Sequence, residues 1–159
     1  MAITLEAANL VRQKTRMYTR DPYVNGVLHT FFRNHAINKA NADLQIVYVD
    51  DADTTGTDGV VVADAACVVY VAFVRKRATA TDSYFKLFDN ATVDTTTTDQ
   101  RLSIATLEAS EDQIMVFPDG LTMAAGVVAT SHTNAQGVTD STAGDSGDGF
   151  IILGASGAN

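Results

Sequence analysis

The stretch Ala143-Gly144-Asp145-Ser146-Gly147 contains the Gly-Asp-Ser-Gly string that surrounds the nucleophile of chymotrypsin-like proteases. A serine nucleophile needs a general base, a carboxylate that orients the base, and an oxyanion hole in fixed geometry. Only 13 residues follow Ser146, too few for the strands that would build a specificity pocket after it. Asp148 stands where the string usually continues with glycine. The surrounding stretch is rich in Gly, Asp, Ser and Thr, so composition alone readily produces the match. It reads as a polar loop, and the expectation is that the chain is not an enzyme.

The metal-ligating residue types give the same answer. Asp51-Ala-Asp-Thr-Thr-Gly56 resembles the first half of an EF-hand loop, but the twelfth position, where a bidentate Glu belongs, is Val62. The flanks read as strands, so the EF-hand is excluded. Asp50, Asp51, Asp53 and Asp58, like Asp140, Asp145 and Asp148, read as solvated turn residues, with a calcium site of another geometry as the alternative. His29 and His35 are six apart, on different faces of a helix, and His132 is remote from both. No cysteine or carboxylate cluster accompanies them, so zinc is not expected. The single cysteine, Cys67, lies in an apolar run and reads as a buried, inert thiol. It excludes an internal disulfide framework. There is no glycine-rich phosphate loop, and no cofactor is expected. Asn90-Ala-Thr92 matches a glycosylation sequon without a secretory signal beside it, and Arg75-Lys-Arg77 reads as the solubilising end of a strand.

Charge is distributed unevenly. The 159 residues carry a net −8. Residues 1–39 hold six cations (Arg12, Lys14, Arg16, Arg20, Arg33, Lys39) and two acids, a net +4. The rest of the chain is −12, and nothing after Arg101 is basic. An acidic body repels phosphate backbones, which excludes nucleic acid as the main partner. The basic segment reads as an arm that docks on something acidic, or as a solvated helix face. The longest apolar run, 65–74, is too short to span a bilayer. The N-terminus lacks the pattern of a signal peptide. A soluble single domain made in the cytosol is the expectation.

The elements that would position these residues are mostly strands. There are 20 Thr and 17 Val, and 16 Asp against 3 Glu. β-Branched residues fit a pleated surface, and Asp favours turns over helix interiors. The best helix candidate is 4–18, with Thr4 as N-cap and Asp21-Pro22 ending it. Residues 23–37 are ambiguous: Val27, Leu28, Phe31 and Phe32 fit a short helix, while Asn25-Gly26 reads as a turn. Strands are expected at 44–49, in a long apolar stretch over 60–63 and 67–74 interrupted by Asp64, and at 84–89, 101–107, 113–117, 121–131 and 150–153. Phe117-Pro-Asp-Gly-Leu121 predicts a hairpin, because Pro118 presets φ and Gly120 tolerates φ > 0. The loops 50–59, 92–100 and 131–149 are long and polar.

These elements predict a mainly β fold: one sandwich or jelly-roll-like domain of seven or eight short strands, preceded by an N-terminal helix or extended arm. Residues 1–40 form the basic helix or arm and 41–159 the sandwich body. The expected core is Val47, Val61, Val69, Val71, Phe73, Phe85, Leu87, Ile104, Val116 and Ile152.

Tyr84-Phe-Lys-Leu-Phe-Asp-Asn-Ala91, a Thr-rich turn, a short strand, Phe117-Pro-Asp-Gly-Leu121 and Leu121-Thr-Met-Ala-Ala-Gly-Val-Val-Ala-Thr130 form a succession, followed by Thr139-Asp-Ser-Thr-Ala143. It resembles a family of small β-rich virion proteins of tailed bacteriophages. The resemblance covers about residues 83–153, and departs where that family's loop often carries Gly and Pro and this one reads Val93-Asp-Thr-Thr-Thr-Thr98. It implies a structural role in a particle: a capsid decoration, or cement, subunit on the virion exterior, bound to the major capsid protein and forming a homotrimer. From charge and apolar-run length, neither nucleic acid nor a membrane is expected as a partner. The arm residues expected to make the capsid contact are Arg12, Lys14, Arg16, Tyr18, Arg20, Tyr23, Phe31, Phe32 and Arg33, since Arg and aromatic residues are the commonest interface anchors. The alternatives are a carbohydrate-binding sandwich of a tail or fibre, and a head–tail connector or tail component.

Overall fold

The apolar run Cys67-Val-Val-Tyr-Val-Ala-Phe-Val74 is too continuous for a strand with one wet face. In the computed structural model every one of its side chains is buried. The structure describes residues 11, 12, 14, 21–38, 44–49, 59–76, 83–93, 99–106, 112–132 and 147–155. Within them lie one long helix, α1 (Pro22–Asn38), and eight strands: β1 (Gln45–Val49), β2 (Val60–Ala63), β3 (Cys67–Lys76), β4 (Ser83–Phe88), β5 (Gln100–Thr106), β6 (Asp112–Met123), β7 (Val127–His132) and β8 (Gly147–Ala155). Val11, Arg12 and Lys14 are also helical. Most of the expected 4–18 helix, and the aspartates at 50–58, lie outside the described residues.

The strands form two four-stranded sheets, ordered β1-β8-β3-β6 and β2-β7-β4-β5. Every pairing is antiparallel and nested: β1 with β8, β2 with β7, β3 with β6 and β4 with β5. That is the order of a long hairpin rolled so that successive pairs alternate between two sheets, a jelly roll. The expected sandwich of seven or eight strands behind an N-terminal helix is therefore the fold observed. The apolar stretch over 60–74 is two strands of different sheets, with Asp64-Ala65-Ala66 as the crossing.

Two cores result. The sandwich interior holds Val69, Ala72 and Val74 of β3 with Phe85, Leu87, Leu102, Ile104, Met123, Ile151 and Leu153. The outer face of the first sheet, with Val68, Tyr70, Val71, Phe73, Phe150 and Ile152, packs under α1. Tyr70 and Val71 are consecutive yet share that face. The register of β3 slips between Val69 and Val71 against both β6 and β8, and such an irregularity in strand alternation keeps both side chains on the helix side. Of the expected core, Val69, Val71, Phe73, Phe85, Leu87, Ile104 and Ile152 are buried. Val47, Val61 and Val116 are only half-buried, because each sits on an edge strand (β1, β2, β6) with one flank uncovered.

Asp21-Pro22 starts α1; where the expected 4–18 helix ends falls on residues 15–20, outside the described residues. Asp21 Oδ1 accepts from the backbone N–H of Tyr23 at 2.7 Å and of Val24 at 3.2 Å, the arrangement of an N-cap. Pro22 at the first helical position lacks only an N–H that would have no helical partner there. Buried Val24, Leu28, Phe31, Phe32 and His35 recur at helical spacing, so residues 23–37 are helix and the helix is a layer of the core.

Asn25-Gly26 lies inside the helix. Gly26 is solvent-exposed, and a Cβ added there meets nothing within 4 Å. Gly26→Ala is therefore expected to stabilise the protein by about 0.5–1 kcal/mol, through reduced unfolded-chain entropy. A denaturant midpoint that moves down would show that the helix does not take this form.

Candidate functional site

The expected hairpin at Phe117-Pro-Asp-Gly-Leu121 is also corrected. β6 runs from Asp112 to Met123 as a single strand along β3. In the register, Leu121 faces Val69 and Val116 faces Val71, so Phe117, Pro118, Asp119 and Gly120 together stand opposite Tyr70. The four residues form a wide bulge. Pro118 has no N–H for a ladder and is tolerated because β6 is a sheet edge. Gly120 takes φ 82°, and this left-handed residue returns the chain to register. At the start of the strand Arg75 clamps Asp112 through Nε–Oδ1 at 2.5 Å and Nη2–Oδ2 at 2.7 Å. Arg75 is thus a strand tie as well as a solubilising end.

The bulge stands beside α1, and the two enclose a groove of about 600 Å³ lined by the helix from Pro22 to His35. Its walls are apolar, from Pro22, Val27, Phe31, Val116 and Pro118, and its polar groups are Tyr23, Thr30, Asn34, His35 and Asp119. The volume falls in the roughly 300–1,000 Å³ range of ligand pockets. Tyr23 is 73% exposed. Thr30 Oγ1 already donates to the Gly26 carbonyl at 3.1 Å. His35 is buried at the floor, its ring 5.4 Å from Phe31 and 5.1 Å from Tyr70.

The residues expected to contact a partner divide into three groups. Tyr23 and Arg33 are exposed on α1. Phe31 and Phe32 are buried between helix and sheet, where they hold α1 in place, and Phe31 also gives the groove part of its floor. Arg12 and Lys14 are half-buried, while Arg16, Tyr18 and Arg20 lie outside the described residues. Arginine and aromatic content brought out Tyr23, but nothing local to Pro118 or Asp119 signals that they face the helix.

Two buried polar clusters lie elsewhere. Asp89, at the exit of β4, accepts from the Ala125 N–H at 2.8 Å and from Arg101 Nη2 at 3.1 Å. Burial pushes its carboxyl pKa up, but hydrogen bonds from Ala125, Ala124, Arg101 and Gly126 win and hold it below the ordinary value. On the outer face of the second sheet, Lys86 lies across from Thr130 on one side and Ser103 on the other. Lys86 and Thr130 are fully buried, and desolvation lowers the lysine pKa. Strand alternation puts Lys86 on the outer face, yet nothing in the sequence signals that this face is covered.

The remaining candidates have structural surroundings. Burial first, and the Asp89 charge second, push the Cys67 thiol up to about 11, so little nucleophilic thiolate exists near neutrality. Asn90 Oδ1 accepts from Thr92 N at 3.3 Å, closing a local turn. His29 is exposed, His35 is on the buried face of α1 and His132 meets Phe88 edge-on at 6.2 Å. Among the described residues no three of His, Cys, Asp and Glu gather where they could hold a metal ion. Asp145 and Ser146 lie outside them.

No known protein-family model, curated protein or solved structure matches this chain.

Proposed function

We propose that this chain is a structural protein of a tailed-bacteriophage virion, a decoration subunit that binds the major capsid protein on the head exterior and braces the lattice. The observation that carries the reading is a jelly roll whose interior is filled with apolar side chains, so that partners are met on its outer surface. Jelly rolls recur in viral capsid and lectin domains, an analogy of fold that acquires direction from the succession of residues over 83–153 that resembles virion proteins. The acidic body suits an exterior position, away from the packaged genome.

The mechanism is mechanical. A homotrimer at a three-fold or quasi-three-fold lattice position grips several capsid subunits at once, and weak contacts add through effective concentration. Bridging raises the free energy needed to part the subunits against internal pressure. The test compares heads assembled with and without the protein in a heating series, alongside light scattering of the free chain. Decorated heads should release their contents at a higher temperature, and the free chain should weigh as a trimer. Identical release temperatures contradict the reading. A large ring points to a connector instead.

Tyr23, a highly exposed aromatic lining the same groove as Asn34 and Asp119, favours a second reading, a carbohydrate-binding module of a tail or fibre. Saturable binding on a glycan array, abolished by Tyr23→Ala, would establish it.

A further inference from the structure

We infer that the groove between α1 and the β6 bulge is a socket for a guanidinium group, the arginine of a partner segment whose flanking residues are apolar. The inference deepens the virion reading and rests on it for the partner's identity, a capsid subunit presenting that arginine.

Charge decides the sign of the occupant. Among the described lining residues the one formal charge is Asp119, exposed on the bulge. A helix N-terminus would ordinarily draw an anion. Here its donors are already used: Asp21 Oδ1 takes Tyr23 N–H and Val24 N–H, and the Asp21 carbonyl takes Asn25 N–H at 3.0 Å. An incoming anion would meet Asp119 with few donors to receive it. A cation meets the Asp119 carboxylate, and Tyr23 lends an exposed ring to the same groove.

Shape and hydration decide between the two cationic side chains. Ammonium is compact and strongly hydrated, and loses much on entering apolar walls. Guanidinium is planar and weakly hydrated, stacks on aromatic faces and pairs with a carboxylate through two parallel hydrogen bonds. Pro22, Val27 and Pro118 supply the dry walls that its methylene stem covers. The bulge itself is the second observation. A regular β6 would lie flat along β3, whereas Phe117 to Gly120 leave the ladder beside the helix and set Pro118 and Asp119 on the groove. Bulges of this kind commonly aim side chains at a site.

The test has two arms. In the first, isotope-labelled protein is titrated with N-acetyl-arginine amide and with N-acetyl-citrulline amide, which has the same shape without the charge. The arginine compound should shift the backbone signals of Tyr23, Gly26, Asn34 and Asp119 saturably. Citrulline should bind about tenfold more weakly, and Asp119→Asn should abolish the difference. No saturable shift, equal binding of the two compounds, or a saturable response to N-acetylglucosamine in their place overturns the inference.

The second arm measures binding of Asp119→Asn and Tyr23→Ala to undecorated heads. Both side chains are exposed, so unchanged melting verifies folding. Each variant should bind at least about tenfold more weakly than the parent. If the parent binds and both variants match it, the socket is wrong and the virion reading stands. If the parent does not bind, the virion reading fails, and the first arm alone decides the socket.

Discussion

Phe73→Ala is expected to lower the free energy of unfolding by about 3–5 kcal/mol. Phe73 is fully buried on β3 and stacks on Phe150 of β8 with centroids 4.8 Å apart and planes 17° apart. The pair lies on the outer face of the first sheet, in the core that α1 closes. Truncation removes most of a large apolar side chain and the partner ring's stacking surface together. Both strands are central in their sheet, so the backbone has little room to collapse into the hole. Domains of this size have only about 5–15 kcal/mol in total, so the variant should unfold at much lower urea. A loss below about 1 kcal/mol would mean that the helix does not seal that face.

Asp89→Ala should cost about 1–3 kcal/mol, because it removes the acceptor of the part-buried Ala125 N–H and of the Arg101 guanidinium. Asp89 joins three corners of the jelly roll. Its side chain receives the turn between β6 and β7 and the Arg101 guanidinium, while its own N–H donates to the Asp99 carbonyl at 2.8 Å. The turn comes close because Gly126 has no Cβ: one added there would stand 2.5 Å from the Ala63 carbonyl and 2.8 Å from that of Asn90. The Arg101 side chain is half-exposed, so solvent screens that pair and the backbone donors dominate.

The pH dependence follows in sign. The folded-state carboxyl lies below its ordinary 3.8, so its stabilisation is fully present above that value. It is lost as pH falls through the folded-state value. Wild-type stability should therefore decline through the region below pH 4, and Asp89→Asn should flatten that limb while lowering stability at neutral pH. An acid limb that Asp89→Asn leaves unchanged would contradict the assignment.

The strand content was legible because Val, Thr and Asp outnumber the helix formers. The strand at 67–74 was legible as a continuous apolar run; that both its faces are buried came from the structure. What failed or stayed open were strings whose local preferences serve two structures. Phe117-Pro-Asp-Gly has the φ preferences of a hairpin turn and of a bulge alike, and the choice is made by pairing with β3, some 50 residues earlier in the chain. Asp-Pro marks the end of one helix or the start of the next. Asp21 caps the start of α1, which the spacing of Val24, Leu28, Phe31 and Phe32 signals once Asn25-Gly26 is read as helix interior. Tyr23 stood out as a candidate contact residue from its type alone, and it is exposed on α1. The groove beside it was not legible, because it exists only where α1 and a distant edge strand meet.

The most direct test of the account is co-sedimentation of the purified chain with undecorated heads of the parent virus, read as bound copies per capsid. Binding that saturates at a whole multiple of the three-fold lattice positions is the predicted result. Absence of binding under conditions where the chain is folded would contradict it.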